Sequence, residues 1–231
     1  MTARDELWVF GYGSLMWRPD FAFEERVRAR IDGYHRAFCI YSTHHRGSPA
    51  RPGLVLGLDR GEACEGVAYR IAADDAARVM RYLRERELVN GVYREAHLRA
   101  TLHDGSGRRP LALAYVVERD HPSYTGRLPL AAQAHLIRGA RGISGVNLDY
   151  LISTVRHLVE CGIRERNLER LVALSAPHAT HLSAEATQAA TRSLHRVVAR
   201  LPDDVQRLRK GDRRRFLYRI RIADRAGPAP A

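Results

Sequence analysis

VFGYGSLMW, residues 9–17, is an apolar, strand-like run with two glycines and a serine at its centre. None of these three can fill a core, so something other than packing has put them there. Glycine lets the backbone turn with positive φ and, lacking a Cβ, lets another group come close to the main-chain N–H. Gly11, Tyr12, Gly13, Ser14 and Leu15, at the end of a predicted strand, therefore form either a cradle for an anion or carboxylate, or a bulge or tight turn that holds no ligand. Spacing alone leaves both readings open. The run is neither G-x-G-x-x-G nor a Walker loop, and Ser14 lacks the flanking glycines of a G-x-S-x-G elbow, so nucleotide-binding and elbow-hydrolase readings lose ground.

Outward from this stretch, short strands broken by glycine, proline and histidine-rich turns fill the first two-thirds of the chain: residues 7–15, 34–42, 53–59, 64–71, 94–104 and 110–118. One helix interrupts them, DDAARVMRYLRERELV, capped by Asp74 and carrying Val79, Met80, Leu83 and Leu88 as its apolar stripe. After PSYTGRLP the period changes. A helix is predicted over 130–140, and a second from Asn147 with Leu148, Leu151, Ile152, Val155 and Val159 on one face, ending near Gly162. A third, ERNLERLVAL, follows. Strands around one helix and then helices make an α+β domain, its sheet closed or nearly closed with helices outside. The main domain is placed at residues 7–174. Residues 175–231 read as a C-terminal basic appendage, with AEATQAATRSLHRVVARL as a helix, an alternating FLYRIRI, and an AGPAPA end expected to be disordered.

A chain of 231 residues can hold one good core, or a core and an appendage. Its 45% hydrophobic and 28% charged residues exclude wholesale disorder. The net charge of +12 raises the question of a polyanionic partner. Between Val205 and Arg225, however, Arg207, Arg209, Lys210, Arg213, Arg214, Arg215, Arg219, Arg221 and Arg225 stand against Asp212 and Asp224, so +7 of the excess belongs to the tail. Cys39, Cys64 and Cys161 are odd in number, far apart and without C-x-x-C spacing, which indicates neither a disulfide framework nor a zinc knuckle and fits a reducing cytoplasm. Asp5 and Glu6 precede the first apolar run, arguing against a signal peptide, and LALAYVV, residues 111–117, is too short to span a bilayer. A soluble, cytoplasmic protein with no membrane partner is expected.

Two carboxylates, Glu85 and Glu87, lie near the end of the first helix in YLREREL. Two residues apart on a helix they face different sides, so both cannot serve one cleft. The alternative is a charged helix terminus with i,i+4 pairs to nearby arginines. His44 and His45, in the Gly- and Pro-rich STHHRGSPARPGL, are neighbours that point opposite ways on an extended chain, with no acidic or thiol partner near. The H-x-x-H of His178 and His181 is equally weak, because its flanks hardly favour a helix. No metal and no other cofactor is expected.

VFGYGSLMW, HHRGSPARPGLVLGL, EGVAYR, YLRERE, PSYTG and the ISGVNLDYL helix start occur in this order, and in them the chain resembles the ChaC-like, glutathione-specific γ-glutamylcyclotransferases from about Leu7 to about Val172. The resemblance implies a small mixed α/β barrel with flanking helices whose strand-end loop grips a γ-glutamyl group. That loop falls on Val9, Phe10, Gly11, Tyr12, Gly13, Ser14 and Leu15, the last four being the motif proper. The catalytic carboxylate it implies is Glu87, not Glu85, and Tyr124 of PSYTG is similar to a tyrosine lining the site. His44 stands where some relatives have an acidic residue, a departure that bears on contacts to the peptide side of the substrate. The reaction implied is glutathione to 5-oxoproline and Cys-Gly. The substrate's own α-amine attacks its γ-carbonyl, with Glu87 as general acid and base. Two alternatives stand beside it: a cyclotransferase for another γ-glutamyl amine or peptide, and a binding module in which the basic tail engages nucleic acid or another polyanion while the glycine loop is only a turn.

Overall fold

Five strands close into a barrel in the order β1-β3-β2-β4-β5. They are β1 (Leu7–Gly11), β2 (Glu25–Ser42), β3 (Gly53–Ile71), β4 (Tyr93–Leu102) and β5 (Leu111–Val117). The structure, a computed structural model, describes residues 6–176. Antiparallel pairing joins β1 to β3, β2 to β4 and β4 to β5, and a parallel seam between β1 and β5, with Trp8 opposite Ala112 and Val9 opposite Leu113, closes the ring. Ala112 through Val117 are all buried, which is why β5 reads as a continuous apolar run and not as an alternating one.

Two strands differ from their predicted extent. β2 begins at Glu25, ahead of the predicted Tyr34, because Ala29 and Ile31 turn inward between exposed Arg28, Arg30 and Asp32. The two strands predicted over 53–59 and 64–71 are one. Gly61 between them is not a turn: the His35 ring of β2 lies where its Cβ would be.

The helix α1 (Ala73–Glu87) buries Val79 and Leu83. Its N-cap is Ala72, without a side-chain cap. Asp74, the predicted cap, lies with Asp75 in the first turn, where a carboxylate favours the positive end of the helix dipole. The described residues through Ile40 together with Leu56–Gly126 form one compact unit, and Tyr41–Val55 together with the described residues from Arg127 form a second.

The second unit holds α2 (Leu130–Gly139), the hairpin of β6 (Arg141–Gly142) and β7 (Gly145–Val146), α3 (Asn147–Glu160) and α4 (Arg166–Ser175). α3 buries Leu148, Leu151, Ile152, Val155 and Leu158, so Leu158 and not the expected Val159 ends its inward face. Asn147, fully buried, takes the Leu54 N–H on Oδ1 at 2.7 Å and gives Nδ2–H to the Leu54 carbonyl at 2.7 Å, acting as a substitute strand edge. Gly47 and Gly53 complete this clamp, since a Cβ on either would strike backbone of the 42–53 segment. Much of HHRGSPARPGL is thus explained by packing. The predicted helix and FLYRIRI beyond residue 176, with His178, His181 and the basic cluster, lie outside the described residues. No described helix is long and apolar enough to cross a membrane.

Candidate active site

The apolar run of β1 divides sharply in role. Val9 and Phe10 are fully buried and belong to the barrel core, and the strand ends at Gly11 where a 3-10 turn, Ser14–Met16, begins. Neither Gly11 nor Gly13 has positive φ, contrary to the expectation from the sequence, and Gly13 has φ −129°. Close approach is what Gly11 provides. A Cβ there would lie 3.1 Å from the Leu15 Cβ and 3.2 Å from the Met16 nitrogen, so any larger residue would push the folded-back chain aside by a few tenths of an ångström. Gly66 of β3 does the same from beneath, because its Cβ would meet the Gly11 carbonyl and the Phe10 ring. Gly13 is different: its Cβ would touch only Leu56 Cδ1, at 3.5 Å.

Groups that sequence reasoning missed hold this loop. Arg36 of β2, only 5% exposed, donates from Nε to the Tyr12 carbonyl at 2.5 Å and from Nη2 to the Glu65 carbonyl at 2.6 Å. Tyr69 of β3 donates its hydroxyl to the Leu15 and Met16 carbonyls at 3.0 and 2.9 Å. The Met16 N–H closes the turn on the Gly13 carbonyl at 2.9 Å. Tyr12 and Leu15 are themselves buried; across residues 11–16 only Ser14 is partly exposed.

The carboxylates at the end of α1 separate as their spacing demands. Glu85 is exposed, whereas the Glu87 side chain is only 18% exposed and pairs through Oε1 with Arg86 Nε at 3.1 Å. Arg86 reaches the loop: Nη2 donates to Ser14 Oγ at 2.8 Å, and Nη1 donates to the Arg18 carbonyl at 3.0 Å and to Tyr82 Oη at 2.8 Å. Glu87 and the glycine loop are therefore brought to one guanidinium. On β5, burial pushes the Tyr115 hydroxyl well above the usual phenol range, with the Glu95 and Glu87 carboxylates adding to it.

Residues 7–176 match the family model described as ChaC-like protein. The chain belongs to the ChaC-like family. It is 39% identical over 170 residues to the human glutathione-specific gamma-glutamylcyclotransferase 1, an alignment covering 73% of this chain and 76% of the relative. To the glutathione-specific gamma-glutamylcyclotransferase of Escherichia coli K12 it is 35% identical over 166 residues, covering 72% and 71%. The crystal structure of a selenomethionine-labelled yeast gamma-glutamyl cyclotransferase specific to glutathione superposes with a TM-score of 0.65 at 26% identity, over 74% of this chain and 96% of that one.

Within this ChaC-like barrel Tyr124 bridges to Ile40 and gives its hydroxyl to Asp59 Oδ2 at 2.8 Å, while Arg119 Nε donates to Asp59 Oδ1 at 2.7 Å. Burial, and then the Asp59 carboxylate, pushes the Tyr124 hydroxyl up to about 12. Burial opposes ionisation of Asp59 as well, but the hydrogen bonds from Arg119 and Tyr124 outweigh it and hold that carboxyl below the usual range. The hydroxyl of Tyr124 is thus engaged with Asp59. In the second unit the His44 and His45 rings meet edge-on at 5.0 Å, and His45 Nδ1 lies 3.1 Å from Ser144 Oγ. Among the described residues no three His, Cys, Asp or Glu side chains are gathered to hold a metal ion.

Proposed function

We propose that this protein is a glutathione-specific γ-glutamylcyclotransferase in which Glu87 moves the protons and the loop from Val9 to Leu15 holds the γ-glutamyl group. The observation that carries the reading is the single guanidinium of Arg86, shared between the largely buried Glu87 and Ser14 of the glycine loop. The names of the relatives point to the substrate, and the contact of both Glu87 and Ser14 with Arg86 supports putting the carboxylate and the loop to one task.

The chemistry asks little beyond that. The substrate's α-nitrogen bonds to the carbon of its own γ-carbonyl, the bond from that carbonyl carbon to the cysteinyl nitrogen breaks, and 5-oxoproline and Cys-Gly leave. No atom changes oxidation state, so no redox partner is required. Holding amine and carbonyl in a near-attack geometry lowers the barrier by several kcal/mol. At neutral pH the amine is mostly an ammonium and not nucleophilic, and it must lose two protons to become the lactam N–H: one passes to solvent as the free amine forms, and Glu87 takes the other as the nitrogen bonds to the carbonyl carbon and returns it to the departing cysteinyl nitrogen. The N–H groups leading a 3-10 turn have no acceptor within the turn, which suits them to the α-carboxylate or to the oxyanion formed from the γ-carbonyl oxygen. Tyr124, its hydroxyl held by Asp59, would line the site, and the odd number and wide spacing of Cys39, Cys64 and Cys161 fit a cytoplasmic setting.

Release of 5-oxoproline and Cys-Gly from glutathione tests this reading. Glu87→Gln should still bind glutathione while losing about two to four orders of magnitude in kcat. Glu85→Gln, an equal loss of charge on the exposed side, should stay within about twofold. Near-normal turnover in Glu87→Gln would remove this residue from the reaction.

A further inference from the structure

Arg86 is an unusual neighbour for an acid that must exchange protons. Each of its nitrogens is assigned: Nε to Glu87 Oε1 at 3.1 Å, Nη2 to Ser14 Oγ at 2.8 Å, and Nη1 to the Arg18 carbonyl and Tyr82 Oη. Asp20 Oδ2 lies a further 3.7 Å from Nη1. The side chain is 19% exposed. A guanidinium is a rigid fork with donors only, so the two atoms it grips cannot drift apart without one of them losing its bond.

The polarity of the second contact has a chemical consequence. Ser14 Oγ accepts from Nη2, and Arg86 has no lone pair to accept anything in return. The hydroxyl proton of Ser14 is therefore left for another acceptor. Ser14 is also the partly exposed residue of the loop. A hydroxyl so fixed favours an anionic oxygen over a donor such as an ammonium.

We infer that Arg86 is the positioning residue of the site: it registers the Glu87 carboxylate against the glycine loop and fixes Ser14 as a hydrogen-bond donor to a substrate carboxylate. The inference rests on the cyclotransferase reading above. Arg86 itself touches no reacting atom. Its influence on binding runs through Ser14 and its influence on turnover through Glu87, so the two effects are separable.

The test is a kinetic cycle on the full chain, with glutathione as substrate and 5-oxoproline as readout, comprising wild type, Ser14→Ala, Arg86→Met, Arg86→Lys, each Arg86 change combined with Ser14→Ala, and Glu87→Gln. Ser14→Ala should raise KM about tenfold to a hundredfold, the scale of a charge-assisted hydrogen bond. Arg86→Met should raise KM similarly and also lower kcat. In the Ser14→Ala background it should lower kcat without raising KM further. Arg86→Lys keeps a positive charge beside Glu87 but loses the fork, so it should recover part of kcat and leave KM high. KM effects of Ser14 and Arg86 that simply multiply, or Arg86 variants with wild-type constants, would overturn the inference. If Arg86→Met does not fold, as judged by circular dichroism, Arg86→Lys alone and with Ser14→Ala decides the coupling in the same way. Wild type that forms no 5-oxoproline, or a fully active Glu87→Gln, would instead overturn the reaction and this inference with it. A dead Glu87→Gln beside an additive Arg86 series would overturn only the role of Arg86.

Discussion

Asn147 offers the sharpest test of how the 42–54 segment is held. Its side chain makes two hydrogen bonds of 2.7 Å to the N–H and C=O of Leu54, and the residue is fully buried. Asn147→Ala strands both backbone groups where water does not reach them, at about 1–3 kcal/mol each, so a loss of about 2–6 kcal/mol is expected. Against a total stability of about 5–15 kcal/mol that is a large share. Asn147→Asp is nearly isosteric and separates the two bonds. The carboxylate can still accept from the Leu54 N–H, but it meets the Leu54 carbonyl with a second acceptor. Burial and that carbonyl both favour the protonated acid, so the Asp carboxyl would be raised in the folded state. A raised group contributes stability that is complete below its unfolded value, about 3.9, and lost as pH rises through the folded value. Asn147→Asp should therefore approach wild type near pH 4 and fall away from it at pH 7. Urea melts at the two pH values, read by circular dichroism, measure this. A loss under about 1 kcal/mol for Asn147→Ala, or an Asp variant whose deficit does not change with pH, would refute the clamp.

Gly13→Ala places a methyl against nothing but Leu56 Cδ1 and should weaken glutathione binding, measured by calorimetry in the Glu87→Gln background, whereas Gly11→Ala forces Leu15 and Met16 apart and should cost stability as well, about 1–3 kcal/mol by thermal melt. Since Asp59 is held below the usual range, its contribution to stability is present above about pH 4 and lost as pH falls through the depressed value; Asp59→Asn should flatten the acid side of a pH–stability curve. Tyr124→Phe, which removes the hydroxyl from Asp59, should cost about 1 kcal/mol in a urea melt, and a fall in kcat/KM beyond that loss of folded protein would mark a role at the site. Ser175 is fully buried as the last residue of α4, so a truncation should begin after residue 176: deleting 177–231 should spare 5-oxoproline release while abolishing retention on a polyanionic resin, and lost turnover would tie the tail to the chemistry.

What could be read from the sequence followed from its periodicities. LALAYVV gave itself away as a strand, the 3.6-residue stripe from Leu148 marked α3, and two-residue spacing separated Glu87 from Glu85. Context reversed other readings. Gly61 reads as a turn locally, but the ring of His35 on the next strand needs that gap. Asp74 has the chemistry of a cap, yet the backbone of Ala72 takes that place. Arg36 alternates with buried Phe38 and Ile40, and a lone arginine on an inward face was the available sign that a backbone turn above it needed a donor. Nothing local says that Arg86 would meet Ser14, since that contact joins residues 72 positions apart.

The parallel seam of the barrel has a bearing on biosynthesis. β1 finds its β5 neighbour only after roughly a hundred further residues have been made, and such distant pairings form slowly. The loop that would receive a carboxylate hangs from the end of β1, so its shape depends on a strand still awaiting its flank while the ribosome is at work. A nascent chain would thus carry the acid of α1 and the Tyr-Gly-Ser-Leu stretch without a finished site, and competence would arrive abruptly when the last staves of the barrel meet.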